Sequence, residues 1–272
     1  MLARAREFLS RKDLPEARLE AELLVAHALG LDRLHLFLAL DRPVVAAEVD
    51  RARELLVRRA RREPVAYLTG KREFYGRAFE VDPRVLIPRP ETELLIDLAR
   101  EWHGGREEPT RVLDFGTGSG CLAVTAALEL SASQVLAVDV SDGALSLAAA
   151  NAARLGAQVE FLRTDGPEGL SGRFDLVLSN PPYVTRAESA ALAPEVREHE
   201  PALALFAPEG DPDHWLRRLV RFAAERLEEG GRLFCELGAS QAERAADVAE
   251  SAGLGALLHD DPAGIPRVLE SW

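Results

Sequence analysis

The chain of 272 residues is 47% hydrophobic and carries a net charge of −12, which suits one large domain or one domain with a small companion. No uninterrupted apolar run is long enough to span a bilayer. Met1–Glu7 alternates charged and apolar residues without the apolar core of a signal peptide, so a cytoplasmic protein is expected. The charge is uneven, with 16 basic and 12 acidic groups up to residue 77 and 17 basic against 33 acidic groups beyond it. An acidic larger part is a poor match to bare nucleic acid, whose phosphates demand a positive footprint; neither stable nucleic-acid binding nor membrane association is expected.

The first sixty-odd residues read as helices. Pro15–Gly30 has apolar residues at helical spacing and stops on Gly30; residues 33–39 form a short helix; Val44–Glu63 forms a longer one, stopped by Pro64. None is long enough to be stable alone, so they must pack as a small bundle. Within the longest, Arg58, Arg59, Arg61 and Arg62 read as a solvated helix end that complements the helix dipole, with contact to RNA or an acidic partner as the alternative. After Pro64, Glu73-Phe-Tyr and Ala78-Phe-Glu-Val are β-prone runs around Gly76 and predict a hairpin. Leu86–Glu93 leads into a helix from about residue 91, with Pro90 in its first turn.

From Arg111 strands and helices alternate. Strands are predicted at Val112–Phe115, Val135–Asp139, Val159–Leu162, Phe174–Ser179 and Arg232–Leu237, with helices including 143–155, 213–229 and 240–252. Ala256–His259 and Arg267–Ser271 supply one or two closing strands. This is an α/β pattern, a parallel sheet covered on both faces. Cys121 and Cys235 lie far apart and outside any CxxC cluster, so they read as small buried hydrophobes. The six histidines lack paired ligand spacing, and no metal is expected.

Two segments carry chemistry. Asp114-Phe-Gly-Thr-Gly-Ser-Gly120 follows the first strand of the alternating region and precedes a helix. Its glycines let the backbone turn sharply and approach a ligand, while the helix start offers free N–H groups. The spacing is G-x-G-x-G rather than the dinucleotide G-x-G-x-x-G. The next strand ends in Asp139, placed to accept hydrogen bonds from ribose hydroxyls. Together they indicate an adenosine-containing cofactor, S-adenosylmethionine and NAD both remaining open. Asp165, after the third strand, would accept from an adenine amino group or cap a turn. The fourth strand ends in Ser179-Asn-Pro-Pro-Tyr183. Two prolines remove backbone donors and stiffen an extended turn, leaving carbonyl acceptors beside Asn180. Such a turn can take both hydrogens of a planar NH2 group while an aromatic ring lies on its plane.

Asn-Pro-Pro-Tyr in this place is the signature of methyltransferases acting on adenine N6, cytosine N4 or glutamine N5. The resemblance extends over nearly the whole chain. Pro64–Gly70, Glu73–Gly76, Leu86–Glu93, the glycine loop, Asn180–Tyr183 and Glu200–Leu205 are together similar to the release-factor glutamine methyltransferases, which modify the Gly-Gly-Gln glutamine of class-1 peptide-chain release factors. The resemblance implies a seven-stranded, Rossmann-like class-I methyltransferase domain over 89–272, a helical bundle over 1–70 that docks the protein substrate, and a β-hairpin linker over 71–88. It implies S-adenosyl-L-methionine as cofactor, S-adenosyl-L-homocysteine as product and class-1 release factors as partners. Gly116, Thr117, Gly118, Ser119 and Gly120 would form the cofactor loop, with Asp139 on the ribose, Asp165 near the adenine and Asn180 also touching the cofactor. Asn180, Pro181, Pro182 and Tyr183 would hold the substrate amide, with Asn180, Pro181 and Tyr183 as the catalytic group. One departure stands out: relatives often carry an aromatic residue after the acid of the third strand, to flank the adenine, and here that position is Gly166. Another apolar group must then cover the ring.

Three rival readings follow from the same residues. An adenine-N6 methyltransferase for ribosomal RNA or DNA shares the Asn-Pro-Pro-Tyr signature, but the acidic larger part and the lack of an evident base-recognition domain argue against it. An NAD-dependent dehydrogenase would want G-x-G-x-x-G and leaves Asn180–Tyr183 unexplained. A non-catalytic adenosine-binding module would bind cofactor and transfer nothing.

Overall fold

The computed structural model describes residues 1–272 apart from 105, 107 and 132 and the side chain of Glu209. The chain divides into two compact units, Met1–Lys71 with Ala193–His199, and Arg72–Leu192 with Glu200–Trp272.

The first unit is helical. Helices Leu2–Ser10, Ala17–Ala28, Arg33–Leu38, Ala46–Ala60 and Val65–Thr69 surround a core that includes Leu9, Leu24, Val25, Leu36, Leu56 and Leu68. Gly30 takes φ +67 just past the second helix, the left-handed turn that glycine adopts without strain. The long helix ends at Ala60, before Pro64, and Pro64 instead opens the short helix Val65–Thr69, which Gly70 closes at φ +73. That short helix is absent from the sequence reading because five residues give no usable period. The arginine cluster is only in part the solvated helix end its composition suggests: Arg61 is exposed, but Arg59 is buried. Arg59 is 2% exposed; it donates twice to Glu20 at 2.9 Å and once to Glu195 at 2.8 Å. Arg58 pairs with Glu63 at 2.8 Å, and Arg62 donates to the Lys12 carbonyl at 3.2 Å. A second buried ion cluster centres on Glu22, fully buried and held by Arg6 at 2.6 Å and Arg33 at 2.7 Å.

From Arg72 the second unit opens on a hairpin, β1 (Lys71–Phe74, its first residue in the helical unit) and β2 (Arg77–Glu80), turned by Tyr75 and Gly76 at φ +51 and +71. Positive φ at both turn residues matches the twist of a two-residue hairpin. Phe74 and Phe79 are fully buried, edge to face at 6.1 Å, and join the core under the sheet.

The sheet has seven strands: β3 (Thr110–Phe115), β4 (Ser133–Asp139), β5 (Val159–Arg163), β6 (Phe174–Ser179), β7 (Leu227–Glu236), β8 (Ala256–Asp260) and β9 (Pro266–Ser271). Their order is β5-β4-β3-β6-β7-β9-β8, parallel through β7, with β9 antiparallel to both its neighbours. Alternate residues face opposite cores. Val112, Leu176 and Phe234 pack on one side with helices Glu93–His103 and Cys121–Glu129, while Leu113, Val177 and Leu233 pack on the other with His214–Arg226 and Ala242–Ser251. The helix predicted over 213–229 ends at Arg226, and β7 starts at Leu227 through an irregular register. Gly231 permits this close passage, since a Cβ there would sit 3.0 Å from the Asp175 carbonyl and 2.9 Å from that of Glu228.

The chain runs outward from β3 to β5, then returns to place β6 on the other side of β3. That reversal lies between β3 and β6, the place where open α/β sheets bind ligands beyond the strand ends. The register fixes what meets there: Phe115 pairs with Val138 and with Ser179, and Ser179 pairs with Cys235. The glycine loop, Asp139, Asn180 and Glu236 therefore leave four adjacent strands at one level.

Candidate active site

A cavity of about 490 Å³ opens at that level, lined by Gly116–Ser119, Asp139, Asp165, Asn180, Pro181 and Pro182 among others. Two predicted residues are not on its wall. Gly120 starts the following helix at φ +81, and a Cβ there would press on Ala148 at 3.0 Å, so it permits close helix packing. Tyr183 lies against Gly238, where an added Cβ would be 2.7 Å from the ring, and its hydroxyl points to Glu236 at 3.4 Å.

The loop is held from below and from the side. Gly116 and Thr117 both donate their N–H to the Val138 carbonyl at 2.9 Å. Thr117 Oγ1 donates to Asp114 Oδ2 at 2.6 Å, and the Ala123 N–H reaches the same oxygen at 3.1 Å. Asp114 is fully buried, which pushes its carboxyl up to about 7. Asp139 Oδ2 accepts from the Gly118 N–H at 3.0 Å and Oδ1 from the Ser141 N–H at 2.9 Å. Each oxygen keeps acceptor capacity for a ligand hydroxyl. Gly116 and Gly118 take φ +76 and +53, with open space where a Cβ would project. The wall is thus bare backbone beside a carboxylate, a surface that fits a ribose.

Where Gly166 stands, an added Cβ would collide with the Arg218 guanidinium and the Glu168 carboxylate. Arg218 Nε donates to Glu168 at 2.6 Å, and its guanidinium lies 4.6 Å from the centroid of the Trp215 ring. Trp215 in turn packs on Phe115 at 5.3 Å. Phe115, Trp215 and Arg218 all line the cavity beside Asp165. An aromatic and guanidinium platform occupies the region that the sequence leaves empty.

Beneath Asn180 runs a buried polar chain. Asn180 Nδ2 donates to Thr92 Oγ1 at 3.0 Å, and Thr92 Oγ1 donates to Glu236 Oε2 at 2.6 Å. Glu236 is 2% exposed, and burial pushes its carboxyl up to about 7. Burial, with Glu236 beside it, also pushes the Tyr183 phenol up. A further clamp lies at Glu200, which accepts from the Ile87 N–H at 3.1 Å and from Arg89 at 2.6 Å, tying the segment before the Pro90 turn to the one after Glu200. Thr92, Glu236, Trp215 and Arg218 are not among the site residues expected from the sequence. Glu236 carried a usable signal, an acid ending an apolar strand, the same one that marks Asp139. Trp215 carried none.

Comparison with known proteins decides the family. The family description "PrmC N-terminal domain" matches residues 1–70 and "Methyltransferase small domain" matches residues 92–199. A release factor glutamine methyltransferase of Geobacter sulfurreducens is 43% identical, covering 97% of this chain and 92% of its own. Another, of Bordetella pertussis, is 44% identical over 97% of each chain. The chain belongs to the release factor glutamine methyltransferase family. The family resemblance read from the motifs is therefore correct, as is the seven-stranded class-I methyltransferase fold with its helical N-terminal region. Among solved structures, the 16S rRNA N2 G1207 methyltransferase of T. thermophilus, in complex with AdoMet and guanosine, aligns at TM-score 0.54 and 21% identity, covering 74% of this chain and 49% of that one; at that distance the likeness is one of fold. No helix among the described residues is long and apolar enough to cross a membrane, and no His/Cys/Asp/Glu group among them could hold a metal ion.

Proposed function

We propose that this chain methylates the side-chain amide N5 of the glutamine in the Gly-Gly-Gln motif of class-1 peptide-chain release factors, using S-adenosyl-L-methionine. The observation that carries the reading is that Asn180, Pro181 and Pro182 face the same cavity as Gly116, Gly118 and Asp139. An amide-binding turn and a ribose-binding wall share one space, in a chain whose relatives at 43% identity are named for this reaction. When bound, the cofactor supplies an electrophilic methyl group. The Gly116–Ser119 backbone and Asp139 would hold its ribose end, Asp165 its adenine amino group, and Trp215 with Arg218 would cover the adenine in place of a side chain at 166.

An amide nitrogen is a poor nucleophile because its lone pair is delocalised into the carbonyl. Asn180 Oδ1 and the Pro181 carbonyl would accept its two hydrogens, turn the lone pair toward the methyl carbon and stabilise the positive charge that grows on nitrogen. Tyr183 would support the amide from behind the wall. Transfer would exchange the methyl–sulfur bond of the cofactor for the new N–C bond, leaving S-adenosyl-L-homocysteine, and the proton of the N–H made acidic by the transfer would pass to water. Positioning and electrostatic stabilisation supply most of the acceleration. The helical bundle of residues 1–70 would dock the protein substrate.

The test is transfer from labelled S-adenosylmethionine to a purified class-1 release factor, its glutamine-substituted form, ribosomal RNA and duplex DNA. Label on the release factor that disappears when the Gly-Gly-Gln glutamine is replaced supports the reading. Label on nucleic acid alone overturns it in favour of adenine methylation.

A further inference from the structure

We propose that Thr92 and Glu236 are positioning residues that set which way round the Asn180 carboxamide stands, so that an ionised Glu236 leaves Asn180 Oδ1 facing the substrate and a protonated one turns it away. The inference rests on the amide-binding role of Asn180. The Thr92 hydroxyl has one proton to give and lone pairs to receive. Its 2.6 Å contact to Glu236 Oε2 takes the proton when that carboxyl is a carboxylate, which can only accept. Thr92 Oγ1 must then receive from Asn180, which at 3.0 Å it does from Nδ2. The two ends of a carboxamide are told apart by the partners around them, so this chain of donors fixes Oδ1 on the opposite side. If Glu236 takes a proton, it donates to Thr92, Thr92 donates onward, and Asn180 turns Oδ1 toward Thr92. Its NH2 would then face the substrate NH2, donor against donor.

Glu236 can make this change near neutrality. The groups around it are Thr92 and Glu91 from the Pro90 turn, Tyr183 from the Asn-Pro-Pro-Tyr turn, Arg267 from β9, and the neighbouring thiols Cys121 and Cys235. Burial raises its pKa most, Glu91 raises it further, and Thr92, Arg267 and Tyr183 lower it, with the balance at about 7. The ionised, productive form is therefore present above that pH and lost below it. The expected signature is an acid limb on kcat of about tenfold per pH unit, as for a single essential ionisation.

The experiment pairs kinetics with a substrate-free observation. Thr92→Val keeps the shape and removes both bonds; it should lower kcat about 10-fold or more while leaving the Kd for S-adenosylhomocysteine unchanged, and Thr92→Ser should restore kcat. Glu236→Gln, an uncharged side chain of the same shape, should abolish the acid limb. In the free enzyme, the 15N side-chain amide signal of Asn180, identified by its loss in Asn180→Asp, should shift with a midpoint near that of the limb and stay flat in Glu236→Gln and Thr92→Val. An acid limb that persists in Glu236→Gln, a wild-type kcat in Thr92→Val, or an Asn180 signal that titrates without Thr92 each overturns the proposal. If the wild-type enzyme labels no release factor, the substrate reading fails, yet the Asn180 signal still decides the polarity of the chain.

Discussion

Removing the Trp215 ring gives the sharpest test of how an adenine is covered without a side chain at position 166. Trp215 is the second residue of its helix, and Leu216 and Leu219 on that helix are fully buried in the core. The half-buried ring rests on Phe115 and carries the Arg218 guanidinium, three residues on and held by Glu168. A base stacked on an aromatic side chain is worth about 1–3 kcal/mol by alanine substitution, so Trp215→Ala should raise the Kd for S-adenosylhomocysteine by about 5-fold to 150-fold. Trp215→Phe should keep most of the affinity. Gly166 has φ −173, extended backbone open to any residue, so the obstacle to a side chain there is Arg218 and Glu168 and not the main chain. Gly166→Phe combined with Arg218→Ala should therefore recover affinity that Arg218→Ala alone loses, and the four-membered cycle measures the coupling. Titration calorimetry with S-adenosylhomocysteine reads the binding, and thermal melts of the free proteins monitor the loss of packing on Phe115. An unchanged Kd in Trp215→Ala with an intact fold would refute the platform.

Other residues give independent checks. Asn180→Ala should lower kcat about 100-fold, the scale of losing one preorganised contact to developing charge, with cofactor affinity nearly intact; equal losses of both would mean a collapsed site. Asp139→Ala removes the acceptor for Gly118 and Ser141 as well as for the ribose, and calorimetry should show a Kd raised about 10-fold to 100-fold, the scale of charged hydrogen bonds. Asp114 is raised to about 7 when folded against about 3.9 unfolded. Its contribution to stability is full below the unfolded value and is lost as pH rises through the folded one. Asp114→Asn should thus flatten the decline in urea midpoint over that window, and an unchanged slope would exclude Asp114 as its source. Arg59→Met strands Glu20 and Glu195 and should destabilise the helical unit by about 3 kcal/mol in chemical denaturation, at the lower end for a broken buried pair because both carboxylates keep some solvent.

The legible parts of the fold are those with local cause. The central strands are buried on both faces, so Val135–Asp139 and Phe174–Ser179 read as unbroken apolar runs, and the glycine loop, Asp139 and Asn180 follow directly from where those runs end. Features made by distant partners stayed hidden. Arg59 looks like one charge among four until Glu20 and Glu195, 39 and 136 residues away, are brought to it. Thr92 sits in a segment whose pattern was noticed, but its role exists only once Glu236 arrives from β7. Trp215 and Gly166 illustrate the same limit: the missing side chain was evident, but its replacement comes from a helix some fifty residues on. The end of the helix at Arg226 is not legible because Glu228 and Glu229 continue a plausible helical surface, while the need for Gly231, where a Cβ would press on the Asp175 and Glu228 carbonyls, shows only in three dimensions.

Two buried carboxyls lie near the point where strand order reverses. Asp114 at the end of β3 and Glu236 at the end of β7 are each raised to about 7 by burial, so near neutral pH both burden the folded state. Neither is buried by accident of packing, since each orders a functional loop: Asp114 takes the Thr117 hydroxyl and the Ala123 N–H, and Glu236 takes the Thr92 hydroxyl on which Asn180 leans. A sheet with apolar cores on both faces can carry that burden. The two penalties have different consequences, however. Asp114 serves a loop whose shape is set by backbone bonds as well, so its proton affects stability. Glu236 serves a side chain whose two ends differ only in hydrogen bonding, so its proton can change what the site accepts. Both protons therefore move the unfolding midpoint over the same window, but only that of Glu236 should also move turnover, so a loss of activity below neutrality that Glu236→Gln abolishes and Asp114→Asn leaves in place would assign it to Glu236.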